Sequence, residues 1–340
     1  MNSILMFLFR MWIMPAFGMA FAGDVSVLQG KIDIALSQFA VGYRNNAYIA
    51  EQLFPRVQVG EQRDLFWKFG RESQRISEND LRAPGAAAET ISQTLSTTSY
   101  FCPDHSLARI ISDEERANFQ AGDINQSATQ TLTNKILLAQ EIRAAALATA
   151  PASYAGSNVL DVSGTIQWGA AANTKIVDQV MAAQLAVMAS GQKPNLMIIG
   201  PAVWRALKSA PEIVARVTAK PGAKGVGANV TLEDLQTIFE VDTLLVPTAV
   251  SLEADMATAD FVWGKHAIVA YVNPAAGFYD TSFGKTFVWT GAPGTAGGFS
   301  VEIARLTPAS RKSDEVAVHS YYGQEVTSNI SAYLLENAVA

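Results

Sequence analysis

The stretch Asn46-Ala-Tyr-Ile-Ala-Glu-Gln-Leu-Phe-Pro-Arg-Val-Gln-Val-Gly-Glu-Gln-Arg-Asp-Leu-Phe-Trp-Lys-Phe69 decides how the 340-residue chain is read. Pro55 keeps its predecessor out of the helical region, and Val57 and Val59 alternate with Arg56 and Gln58, so Gln52 to Val59 is expected to run extended. Leu65 to Phe69 follows as a strand carrying Phe66, Trp67 and Phe69. Beyond it, from Gly70 to Ser99, the larger apolar residues are only Ile76, Leu81, Ile91 and Leu95, while Arg71, Glu72, Arg75, Glu78, Asp80 and Arg82 interleave both signs of charge. Such a segment has too little to bury to fold on itself. Thr94 to Phe101, rich in Thr and Tyr, gives the return strand. A long two-stranded arm with a polar tip is marginal alone in water, so its stability is expected to come from a partner subunit.

Working outward, Ser112-Asp-Glu-Glu115 has capping-box spacing with acids where a helix dipole favours them. From Asn125 to Ala148 there is no Gly or Pro, and Ala128, Leu132, Ile136, Ala139 and Ile142 recur at helical spacing, which predicts one long helix of roughly 36 Å. Upstream, Val25, Leu28, Ile32, Leu36 and Phe39 predict a short amphipathic helix over Val25 to Phe39.

Downstream, helices are expected over Ile176 to Gly191, Pro201 to Ser209 and after the second capping box Thr231-Leu-Glu-Asp234. Short strands are expected at Leu196 to Ile199, Leu244 to Val246, Phe261 to Trp263 and Ala267 to Val272, which together make an α/β lobe. Phe299 to Leu306, Val316 to Tyr321 and Glu325 to Leu334 read as long strands.

Composition bounds the function. Hydrophobic residues at 49% and charged residues at 16% describe a globular chain long enough for two lobes. A net charge of -6 argues against broad contact with nucleic acid phosphates. The single cysteine, Cys102, excludes an internal disulfide framework. Residues 1–22 are apolar, broken by Arg10 and Pro15 and ending Ala20-Phe21-Ala22; they read as a signal or anchor, an over-extended start, or part of an arm.

No catalytic constellation is visible. His105, His266 and His319 stand apart in sequence, and Cys102-Pro-Asp-His105 lacks the second pair a zinc site needs. Gly222-Ala-Lys-Gly-Val-Gly227 lacks the ending of a phosphate loop and reads as a surface loop. Glu141 and Arg143 within the long helix are read as subunit-contact or solvated positions. Catalytic, cofactor and metal residues are therefore all read as none, and the chain is not expected to be an enzyme.

In order and spacing, from about Leu36 to the C-terminus, the chain resembles the major capsid proteins of tailed bacteriophages. Tyr48-Ile-Ala-Glu-Gln-Leu-Phe-Pro-Arg-Val57 resembles the entry to their extended loop, and Ile111 to Asn118 with the helix to Ala148 is similar to their spine helix. Asn195 to Leu207 and Leu235 to Val241 resemble their axial domain, and Phe299 to Leu335 their returning strands. The resemblance implies an α+β Hong Kong 97-type capsid fold. It divides the chain into an N-terminal arm (1–50), an extended loop (51–110), a peripheral domain with the spine helix (111–160), an axial domain (161–290) and returning strands with the C-terminal segment (291–340).

The function implied is self-assembly into hexamers and pentamers of an icosahedral shell. The DNA is enclosed without sequence-specific binding, scaffold, portal and decoration proteins are further partners, no cofactor or membrane is involved, and the virion is assembled in the host cytoplasm. Phe66, Trp67, Lys68, Phe69, Arg71, Arg75 and Glu78 are the expected intersubunit contacts. Two alternatives stay open: an exported periplasmic small-ligand-binding protein, suggested by residues 1–22, and an encapsulin-like compartment shell, which shares the fold.

Overall fold

The computed structural model describes residues 31–43, 45, 47–70, 81–82, 84–85, 87, 96–120, 122–168, 175–219, 230–252, 259–292, 294–295, 297–306 and 311–339. In chain order the first half gives β1 (Lys31–Ile32), α1 (Ile34–Gly42), α2 (Ala50–Leu53), β2 (Arg56–Val59), β3 (Arg63–Lys68), β4 (Ser96–Phe101), β5 (Asp104–Ser112), α3 (Asp113–Asn118), α4 (Ile124–Thr149) and β6 (Val159–Asp161). The second half gives α5 (Ile176–Met188), β7 (Leu196–Ile199), α6 (Pro201–Ser209), α7 (Pro211–Thr218), α8 (Leu232–Phe239), β8 (Thr243–Leu245), β9 (Val250–Leu252) and β10 (Ala259–Phe261). It closes with β11 (Ala267–Ala270), β12 (Gly284–Trp289), β13 (Phe299–Arg305), β14 (Ser313–Val326) and β15 (Ala332–Glu336).

Two sheets organise these elements. The first has the order β1-β13-β14-β12-β2, with β5 also paired to β14. Its axis is the 14-residue β14. The N-terminal part of β14 lies between β13 and β5, and its last residues, from Tyr322 to Val326, pair with β12. The second sheet has the order β6-β15-β11-β7-β8. All four residues of β7 and of β11 are buried, because helices cover one face of this sheet and α4 with α2 covers the other.

The long helix forms almost as its spacing predicts, with Asp123 accepting a hydrogen bond from Asn125 N at its start. Ile124, Ala128, Leu132 and Ile136 pack on Phe299, Val301, Val316 and Val318 of the first sheet. One end further on, Ala144, Ala145 and Ala148 pack with Leu53, Phe54, Trp263 and Leu334 in a core that includes the second sheet. One helix thus belongs to both cores, and its small C-terminal residues let the second sheet approach closely.

The point of contact between these parts is Glu141, fully buried on α4. Its Oε2 accepts from Ala50 N at 2.7 Å and Ile49 N at 3.1 Å, and its Oε1 from Ile49 N at 3.0 Å and Trp263 Nε1 at 2.7 Å. α2 has no side-chain cap of its own, so the Glu141 carboxylate supplies the acceptor its first amides need. This overturns the expectation of a solvated or subunit-contact position for Glu141: the side chain ties the chain's entry segment and Trp263 to the spine within one subunit. Its neighbour Arg143 is exposed and donates to the Tyr322 hydroxyl.

Three local expectations are also corrected. Residues 31–33 are not part of the arm helix, which runs Ile34–Gly42: Asp33 caps it by accepting from Leu36 N at 3.0 Å, while Lys31 and Ile32 pair with β13. Val25 and Leu28 lie outside the described residues. Gln52 and Leu53 are helical rather than extended, because Glu141 starts a turn there, and the strand begins at Arg56. Glu325 to Leu334 is not one strand. Thr327 N and Ser328 N both donate to Phe283 O, at 2.9 and 3.1 Å, turning the chain out of the first sheet so that β15 enters the second.

Replacing Glu141 by Gln sets an amide NH2 against backbone and indole donors. The expected loss is roughly 2–4 kcal/mol of stability, read from urea unfolding of the purified chain. Burial raises the Glu141 pKa above the ordinary carboxyl value, against the opposing pull of the Ile49, Trp263 and Ala50 donors. The folded state therefore holds this proton to higher pH than the unfolded chain does, and the group's contribution to stability falls as pH climbs through the raised value. The Gln variant lacks that acid-side component.

Candidate intersubunit contact site

The arm's root is built from β3 and β4, antiparallel with Arg63 opposite Phe101 and Lys68 opposite Ser96. Period-two alternation gives this ribbon two unlike faces. On the inner face Phe66 and Tyr100 are buried against β12: Phe66 lies 5.2 Å from the Phe287 ring, and Tyr100 stacks on Phe287 at 4.5 Å. Val57, Val59 and Cys102 complete that cluster. On the outer face Leu65, Trp67 and Phe101 are 56%, 36% and 52% exposed, an apolar strip that no described residue covers.

Hydrogen bonds to backbone carbonyls fix the root at both ends. Cys102 N donates to Gln62 O at 2.9 Å, Gln62 Nε2 returns to Cys102 O at 3.1 Å, and Phe69 N donates to Thr327 O at 2.9 Å. The crossing over β14 is close because residue 323 is glycine: a Cβ there would sit 2.2 Å from Phe101 O. Lys285, 1% exposed on β12, donates from Nζ to Phe278 O at 3.1 Å and lies 6.0 Å from the Phe69 ring centroid. Burial pulls its pKa down to about 8, opposed by Asp280. Lys68 and Glu325 line a cleft of about 710 Å³ beneath the ribbon, with Leu147, Ala152 and Asn329 on its other walls.

The expected contact residues are thus divided. Phe66 faces its own subunit and acts as an anchor, while Trp67 and Lys68 are exposed and Phe69 is half-buried. Arg71, Arg75 and Glu78 lie outside the described residues, as does the loop from Gly222 to Gly227. Sequence reading missed Lys285 and Phe287, because β12 is buried along nearly its whole length and shows no alternation, and it missed Phe278 in the bend before that strand. Only the β-rich Phe287-Val-Trp289 run signals it.

The other residues singled out do not converge. Cys102 is buried with its thiol toward Phe287 O, whereas the His105 ring lies tilted against Tyr322 at 4.4 Å and His319 Nδ1 pairs with Asp104 Oδ2 at 2.8 Å. Among the described residues no group of three His, Cys, Asp or Glu is placed to hold a metal, and no helix is long and apolar enough to cross a membrane.

Gly323→Ala is expected to displace β4 and cost about 1–3 kcal/mol in urea unfolding. Lys285 sets a pH dependence of known sign. Below about 8 the folded protein buries the charge, and between about 8 and the ordinary 10.5 the unfolded chain binds a proton the folded one has released. Stability from this group therefore rises with pH through that window, and Lys285→Met removes the rise.

No protein-family model matches the chain. It is 29% identical over 267 residues to the major capsid protein of Burkholderia phage BcepMu, covering 77% of this chain and 85% of that one. It is 28% identical over 314 residues to the major capsid protein of Pseudomonas phage JBD67, covering 91% and 97%. Among solved structures, a phage-related protein from Bordetella bronchiseptica RB50 superposes with a TM-score of 0.71 at 24% identity, over 91% of this chain and 98% of that one. The capsid of cyanophage P-SCSP1u gives 0.54 at 14% over 94% and 93%, and the SrpI encapsulin of Synechococcus elongatus PCC 7942 gives 0.52 at 13% over 90% and 95%. The structures share the Hong Kong 97-type fold, and in sequence the chain is similar to phage major capsid proteins over most of its length.

Proposed function

We propose that this chain is the subunit of an icosahedral phage shell, assembling as hexamers and pentamers around packaged DNA. The observation that carries the reading is the two-faced ribbon: Phe66 and Tyr100 fasten it to its own subunit, while Leu65, Trp67 and Phe101 present an apolar strip that a neighbour can cover. Trp67, Lys68 and Phe69, followed by Arg71, Arg75 and Glu78, are the contact residues of this reading, and Phe66 holds them in place. Residues 1–50 then form the arm, 51–110 the extended loop rooted in the first sheet, 111–160 the start of the peripheral domain and 161–290 the axial domain. β15 extends the axial sheet, so the C-terminal segment of 291–340 serves both domains.

The subunit's role is structural, with scaffold, portal and decoration proteins as partners in assembly, the host cytoplasm as the place of assembly and the virion as its destination. A negative chain suits a container whose wall does not grip the polymer it holds. The encapsulin-like reading shares this fold, but both sequence matches are to phage proteins, which favours the genome container.

Negative-stain electron microscopy of the purified chain tests the proposal. Closed shells or ring-shaped capsomers are expected, and Leu65→Asp with Trp67→Asp is expected to leave a folded subunit, with the circular dichroism of the parent, that no longer assembles. A parent chain that stays strictly monomeric at high concentration contradicts it.

A further inference from the structure

Between the chain's entry segment and the spine helix lies a cavity of about 370 Å³, walled on one side by Tyr43, Tyr48 and Glu51 and on the other by Leu137, Gln140 and Glu141. The last three stand at i, i+3 and i+4, on one face of α4. Its walls are fixed by hydrogen bonds that are complete without any ligand: Asn134 Oδ1 accepts from Tyr48 Oη at 3.1 Å and from Asn45 Nδ2 at 3.0 Å, and Asn45 Oδ1 accepts from Ala47 N at 3.0 Å. One group is left over. Gln140 is 2% exposed and lines the cavity, yet makes no hydrogen bond among the described residues. A buried amide is costly to leave unpaired, so a side chain placed in this way ordinarily meets water or a ligand.

The charges around the cavity decide what it can take. The Glu141 oxygens already accept from Ile49 N, Ala50 N and Trp263 Nε1, so this carboxylate acts on an occupant through its field and not through a direct bond. That field reaches the walls. Burial, then Tyr43 and Glu141, push the Tyr48 phenol above its ordinary value. No Lys, Arg or His stands among the described lining residues, and Arg56 pairs with Glu51 at 2.6 Å, so an anion finds no partner here. A metal ion is poorly served too, since among the described residues no three His, Cys, Asp or Glu are placed to hold one.

An alkylammonium group matches what remains. Its N–H donors suit Gln140 Oε1 and the Tyr48 hydroxyl oxygen, its charge suits the phenol faces, and its methylenes suit Leu137. We infer that the cavity binds a small aliphatic amine, with Gln140 as the polar anchor between the entry segment and the spine. Such a ligand touches both parts that meet at Glu141, so it stabilises the folded subunit. The inference stands on the geometry of one subunit and does not rest on the shell reading.

Calorimetric titration of the full chain with diaminobutane, at constant ionic strength, tests it. Saturable binding is expected, together with an unfolding midpoint that rises with amine concentration. Butanediol, of the same length but uncharged, is expected to do neither. Gln140→Met keeps the volume and the helix, and is expected to weaken amine binding about tenfold or more while retaining the circular dichroism of the parent. Leu137→Trp, which fills the cavity with an indole, is expected to abolish binding. Undiminished binding by both variants, or equal effects of the amine and the diol, overturns the inference. Failure of the parent to bind overturns it as well; binding that then appears in Arg44→Gln assigns the cavity to the chain's own guanidinium in its place.

Discussion

The subunit depends on one buried carboxylate. Glu141 sits where the incoming chain, the spine helix and the lobe's second sheet meet, and its two oxygens accept from Ile49 N, Ala50 N and Trp263 Nε1. Burying a carboxylate in such a place is costly, and the three donors offset that cost only with all parts in position. The site therefore acts as a geometric condition. If α2 shifts, Phe54 and β2 shift with it, and β2 is the strand on which β12 and the arm's root are laid. Polar specificity at the junction complements the apolar cores on either side, which by themselves tolerate sliding.

The arm shows a division between what a subunit can stabilise and what it cannot. Its root is held by stacked aromatics, by paired backbone bonds and by a glycine crossing, all within one chain. Its outer strip is apolar and exposed among the described residues, the kind of surface a monomeric protein ordinarily avoids. Aromatic alternation does both jobs in three residues: Phe66 turns inward, and its neighbours Leu65 and Trp67 turn out. The register set by Arg63 opposite Phe101 decides which is which, since a slip of one residue would exchange the two faces.

Much of this was legible in the sequence where a local rule suffices. The long helix announced itself by spacing, Thr231 and Asp234 form the reciprocal capping box that their spacing predicts, and β7 runs over the four residues expected of it. What escaped was set by partners far away in the chain. Gln52 and Leu53 are helical because Glu141 caps the start of their turn at Ala50, 91 residues away, and the break after Val326 exists because Phe283 O takes two amides. β12 was illegible for the opposite reason: a strand buried on both sides has no polar face to mark its period. Of the contact site, the aromatic cluster at Phe66 to Phe69 was readable as important, but the side to which each ring points is a property of register and not of composition.

Residue-resolved hydrogen exchange, compared between the free subunit and the assembled shell, tests the central claim most directly. The account predicts that the amides of Phe69 and Cys102, bonded to Thr327 O and Gln62 O, are protected in both states. The amides of β3 and β4 toward Lys68 and Ser96 should gain about tenfold or more in protection on assembly, because the proposed contact places a neighbour over them. Equal protection of the whole ribbon in subunit and shell would contradict it, for the arm would then be stable without a partner.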